Sequence, residues 1–67
     1  MEMIPVASSN VYSIGYSNNV LYVRLLSGAL YEYYNVNVDI YYAFLNASSK
    51  GKFVRYVLNK YPYKPIH

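Results

Sequence analysis

Neither cysteine nor tryptophan occurs in this chain, and only three residues are acidic. Without cysteine, disulfide staples and thiolate metal sites are excluded, and the cytoplasm is the expected setting. The acids Glu2, Glu32 and Asp39 lie far apart in sequence, and the one histidine, His67, is the last residue, where chain ends fray. General acid–base chemistry needs positioned titratable partners, and a nucleophilic serine or lysine needs an adjacent base. The chain offers neither pattern, so it is read as a non-enzyme with no cofactor and no metal. No apolar stretch approaches the roughly 18 residues of a membrane span. Met1-Glu2-Met3-Ile4-Pro5 also lacks the basic start of a signal peptide. A soluble protein is expected.

What the chain has in excess is tyrosine, 11 of 67 residues. Tyrosine joins a large apolar ring to a hydroxyl that wants a partner, which suits half-buried surfaces and interfaces. The length allows a single small domain over residues 1–67. A domain of this size buries roughly 60% of its unfolded-chain surface and is marginal alone. With disulfides excluded, a homodimer is an expected remedy. A composition 55% hydrophobic and 13% charged favours a packed fold over disorder.

Charge is unevenly placed. Residues 1–45 set Arg24 against all three acids, whereas residues 46–67 carry Lys50, Lys52, Arg55, Lys60 and Lys64 with no acid at all. Such asymmetry is a physical statement about partners.

The first half reads as strands: Val11 to Tyr16, Val20 to Leu26 and Ala29 to Tyr34 are rich in β-formers, with turn residues between them. A two-residue Asn18-Asn19 loop, which tolerates the positive φ of a type I′ turn, aligns Tyr12, Ile14 and Tyr16 with Leu21, Val23 and Leu25. At Ser27-Gly28, a three-residue loop with left-handed Gly28 sets Val23 opposite Tyr31 and Leu21 opposite Tyr33, which keeps the apolar set on one face. The other face then carries Val11, Ser13, Tyr22, Arg24, Leu30, Glu32 and Tyr34.

The second half reads as helices. Asn37 is an N-cap with Asp39 in the first turn, and Val38, Tyr41, Tyr42 and Leu45 follow at helical spacing. Ala47-Ser48-Ser49 supplies a break and a second cap. Phe53, Val54, Val57, Leu58 and Tyr61 make an apolar stripe until Pro62 stops the helix. An extended tail is predicted for residues 62–67. The fold expected is α+β: a three-stranded antiparallel β-meander followed by two α-helices packed on one face.

Ser8-Ser9-Asn10 leading to Ile14-Gly15-Tyr16, then Ser27-Gly28 and the central Tyr31-Glu32-Tyr33, resembles the KTSC domain. So does Ala47-Ser48-Ser49-Lys50-Gly51 followed by Tyr61-Pro62-Tyr63. That family is named for its place at the C-terminus of some lysyl-tRNA synthetases and also occurs as a stand-alone small protein. The resemblance implies no catalytic activity, and it implies RNA as a partner to test. Asn37 and Arg55 depart from the family pattern, where proline and asparagine are usual.

Three candidate surfaces emerge. Ser48, Ser49, Lys50, Gly51 and Lys52, at the start of the second helix, form a possible anion site, or else an ordinary serine cap on a solvated turn. Lys52, Arg55, Tyr56, Asn59 and Lys60 fall opposite the apolar stripe, and Tyr63 and Lys64 continue them. Cations interleaved with rings suit phosphates and stacked bases, although lysines near a helix end also simply complement its dipole. Tyr22, Arg24, Leu30 and Tyr34 on the outer sheet face suit a dimer interface or base stacking. Tyr31 and Tyr33 are read as core, with hydroxyls near the sheet rim. The leading expectation is a non-catalytic, dimeric module that binds RNA through its basic C-terminal half. A protein–protein assembly module and an oligomeric binder of small anionic nucleotides are the alternatives.

Overall fold

A computed structural model describes residues 2–66, so the expected fraying of His67 lies outside it. Five strands are present among the described residues: β1 (Ile4–Pro5), β2 (Val11–Ser17), β3 (Val20–Leu25), β4 (Leu30–Tyr33) and β5 (Tyr63–Ile66). They form one antiparallel sheet in the order β1-β2-β3-β4-β5. Two helices, α1 (Val38–Asn46) and α2 (Lys50–Tyr56), with a 3₁₀ turn at Leu58–Lys60, lie between β4 and β5 in the chain. The α+β class and the central meander agree with the sequence reading, and the sheet gains a strand at each edge.

Both turns of the meander form as their residues dictate. Asn18 and Asn19 take φ of 52° and 65°, and Ser17 pairs with Val20. Gly28 has φ of 96° in a three-residue loop closed by Leu25 N–H donating to Ala29 O at 2.8 Å. Val23 then faces Tyr31 and Leu21 faces Tyr33. A β-carbon at Gly28 would meet nothing within 4 Å, so Gly28→Ala carries the left-handed backbone penalty alone, about 1–2 kcal/mol. In urea, its unfolding midpoint should drop by that energy divided by the m-value, with the m-value itself unchanged.

One strand face differs from expectation. The register shifts between Val11 and Ser13, so Val11 pairs with Leu25 while Ser13 pairs with Arg24. The bulge expels Tyr12, 55% exposed, and turns Val11 into the core. Ser8 Oγ accepts from the Asn10 and Val11 N–H groups at 3.2 Å, and Leu26 N–H donates to Asn10 O, so the approach to the bulge is held.

The added edge strands share a device. Val6 N–H donates to Tyr12 O, and Tyr34 N–H donates to Pro62 O. Antiparallel ladders alternate inward and outward backbone groups, so Pro5 and Pro65 fall at outward positions. Each proline removes a donor from an open edge and blunts it against further pairing. Two prolines in Pro62-Tyr63-Lys64-Pro65 make the segment look like a free tail, but at an edge they are compatible with a strand. The predicted tail of residues 62–67 is therefore replaced, over Tyr63–Ile66, by β5.

In α1, the Asn37 side chain accepts from Ile40 N–H. The face that packs on the sheet is Ile40, Tyr41, Phe44 and Leu45, whereas Val38 and Tyr42 are exposed. Phe44 is fully buried and stacks on Phe53 at 5.0 Å. Ser49 caps α2 by accepting from Lys52 N–H. The second helix was expected to run to Tyr61; it ends at Tyr56 and tightens into the 3₁₀ turn. Pro62 holds the preceding Tyr61 extended, at φ −99° and ψ 148°. The tighter turn places Leu58 in the core.

The core joins the inner sheet residues Val11, Ile14, Leu21, Val23 and Tyr33 to Val36, Phe44 and Leu58. Complete burial of an aliphatic or phenyl side chain contributes roughly 1.5–3 kcal/mol. Tyr16 ties the hairpin to the start of α1: its hydroxyl lies 2.7 Å from Val36 O and 3.0 Å from Asn19 Oδ1, and its ring stacks on Tyr41 at 5.0 Å.

Candidate functional site

A cleft of about 360 Å³ opens between the sheet and α2. Leu25, Tyr31, Tyr33 and Tyr63 form its sheet side. Val54, Arg55 and Asn59 form its helix side. The Tyr63 ring meets Tyr31 edge-on at 5.8 Å and Tyr33 at 5.6 Å with a 34° tilt, yet Tyr63 remains 56% exposed. A second hollow of about 230 Å³ adjoins it, sharing Leu25, Val54 and Arg55 and adding Asn10, Val11 and Gly51. Arg55 thus stands where the two meet.

Three phenols, those of Tyr33, Tyr34 and Tyr41, are shifted upward. Burial pushes the Tyr33 phenol up, and neighbouring Tyr31 and Tyr63 push in the same direction. Tyr34 is raised first by donating to Glu32 at 2.7 Å. Burial raises Tyr41, with Tyr42 adding to it. All three stay protonated below the ordinary tyrosine value of about 10.

The basic residues divide into groups with different surroundings. Lys52, Arg55 and Lys60 are exposed on α2 and the following turn, as is Tyr56 at 62%. Lys52, Arg55 and Tyr56 share one helical face by spacing. Lys50 leaves this set: its ammonium donates to Leu45 O at 3.1 Å and Ala47 O at 2.7 Å, partly buried against the end of α1. The last turn of α1 contains no basic residue of its own, so Lys50 reaches back to serve it. Lys64 leaves it too, because strand alternation places it on the sheet face opposite Tyr63, across from Glu32.

The Ser48 to Lys52 turn is likewise occupied by the protein. A β-carbon at Gly51 would stand 2.8 Å from the Asn10 side-chain nitrogen. The close approach that glycine permits is made by Asn10, and Ser49 spends its hydroxyl on the cap. Ser48 is exposed beside them. On the outer sheet face, Tyr22, Arg24, Leu30 and Tyr34 are half-buried. Arg24 donates to Gly28 O at 3.0 Å, and Tyr34 is bonded to Glu32.

The sequence reading of Tyr31 and Tyr33 as core captured Tyr33, which is only 6% exposed, and missed that both help to wall a cleft. Their register opposite Val23 and Leu21 fixed the face; the added β5, carrying Tyr63, turned its margin into a wall. Among the described residues, no three His, Cys, Asp or Glu side chains gather where they could hold a metal. No helix among them is long and apolar enough to cross a membrane.

The KTSC domain family model matches residues 7–63 of this chain. The crystal structure of a KTSC domain protein from Yersinia pestis superposes with a TM-score of 0.93 at 32% identity, covering 98% of this chain and 97% of that one. No curated protein matches.

Proposed function

The chain belongs to the KTSC domain family, and from that premise we propose that it is a non-catalytic module that binds single-stranded nucleic acid, RNA above all, on the exposed face of α2 and the turn after it. One observation carries the reading: Lys52, Arg55 and Lys60 are solvent-facing in a segment that also exposes Tyr56, and no acidic residue follows Asp39 in the sequence. Unopposed cations attract a phosphate chain by releasing its counterions. Exposed rings stack on unpaired bases without demanding a sequence. They have no comparable surface in a duplex, whose bases are already stacked, and a seven-residue helix is only about 10 Å long.

Titration of a fluorescein-labelled single-stranded RNA at 50 and 200 mM salt tests the proposal. Three phosphate contacts give a slope of log K against log salt near −2, or roughly 16-fold weaker binding at the higher salt. Lys52→Gln should flatten the slope by about 0.7. Absence of binding at 50 mM would remove the proposal.

A further inference from the structure

We propose that the cleft between Tyr63 and α2 is a nucleotide subsite, taking one unpaired base against the Tyr63 ring with the attached phosphate on Arg55. The inference rests on the nucleic-acid reading and gives it a place. At about 360 Å³ the cleft is of small-ligand size. Tyr31 and Tyr33 buttress the Tyr63 ring, while its 56% exposure leaves ring surface open to a ligand. A ring fixed on one side and open on the other is a ready stacking platform, because little side-chain freedom is lost on binding.

The polar groups of the cleft match the remainder of a nucleotide. Asn59 offers both a carbonyl and an amide, the pair that reads a base edge. Arg55, at the junction of the two hollows, presents a planar fork suited to phosphate. No acidic residue lines either hollow. Arg55 also shares the α2 face with Lys52, so a strand tracked along the cations arrives at the cleft mouth. Charge complementarity and a ring-walled slot therefore coincide at one residue. The chemistry recognised is an aromatic base bearing a phosphate, within a strand or free.

The test combines amide and side-chain NMR of the wild-type protein with anisotropy on variants. A short single-stranded RNA should shift the Asn59 side-chain amide, the Arg55 Nε–H and the Tyr31 and Tyr63 amides. Adenosine monophosphate that moves the same signals with strand-like affinity would support the subsite and identify a free nucleotide as occupant; weaker binding at the same signals would support it within a strand. Inorganic phosphate should reach Arg55 without disturbing Tyr31. Tyr63→Ala should lower RNA affinity by about 5- to 150-fold with the salt slope unchanged, and Tyr63→Phe should restore it. RNA that binds with shifts confined to Lys52 and Lys60, or as tightly to a folded Tyr63→Ala variant, overturns the subsite and leaves the cationic face standing. A wild-type protein that binds no RNA and no nucleotide overturns both.

Discussion

Phe44→Ala is expected to remove most of the stability of this domain. Phe44 is completely buried and stacks on Phe53, so the ring joins α1 to α2 as well as to the sheet. Truncating a buried phenylalanine costs about 3–5 kcal/mol, from lost transfer energy and the cavity left behind. At about 0.05–0.15 kcal/mol per residue, a chain of 67 residues holds only roughly 3–10 kcal/mol in total. Urea unfolding followed by tyrosine near-ultraviolet circular dichroism reads the loss directly. Phe44→Leu, which keeps most of the volume, should cost less than about 1.5 kcal/mol and remain folded. An alanine variant with a near-native midpoint would mean that the helices are anchored elsewhere, with Leu58 the next buried contributor.

That ring also marks where the amino-acid pattern stops determining the answer. In α1, Val38, Tyr41, Tyr42 and Leu45 satisfy helical spacing, and so does the neighbouring stripe through Ile40, Phe44 and Leu45. A short helix flanked by apolar residues on both sides has no strong preference between two faces about 100° apart. The sheet decides, by admitting Phe44. The hairpin registers were legible for the opposite reason. Asn18-Asn19 and Gly28 fix loop lengths, and a one-residue slip would turn Val23 and Leu21 to solvent. The bulge at Tyr12 has no such signature, since Val11 and Tyr12 are both good strand residues. β5 was concealed by its prolines, which argue against a central strand and are silent about an edge one.

The candidate site was legible as composition and much less so as geometry. An acid-free basic half is visible in the chain, but which cations face water depends on contacts beyond it. Arg55 and Tyr63 line one cleft only because the chain turns after Tyr56 and returns along β4. Lys50, two residues before Lys52 in sequence, has been taken by carbonyls at the end of a different helix. Residues close in the chain can therefore hold opposite roles, and that separation can be measured.

Lys50→Met should lower stability by about 1.5–3 kcal/mol and leave RNA affinity and its salt slope unchanged. The methionine keeps the apolar stem but withdraws two charge-assisted hydrogen bonds, from Leu45 O at 3.1 Å and Ala47 O at 2.7 Å. Hydrogen bonds to charged groups contribute roughly that much, and a partly buried carbonyl left without a donor adds a desolvation cost. For a domain of this length the melting temperature falls about 4–8 °C per kcal/mol. Lys52→Met should do the reverse, with melting within about 0.5 kcal/mol of wild type, as for most exposed positions, and weaker RNA binding. Affinities must be compared at a temperature where both variants are folded. Crossed results would assign one lysine to the fold and its near neighbour to the ligand. Should Lys50→Met instead melt like wild type and bind weakly, its ammonium would be counted with Lys52, Arg55 and Lys60, and the wild-type slope would steepen to about −3.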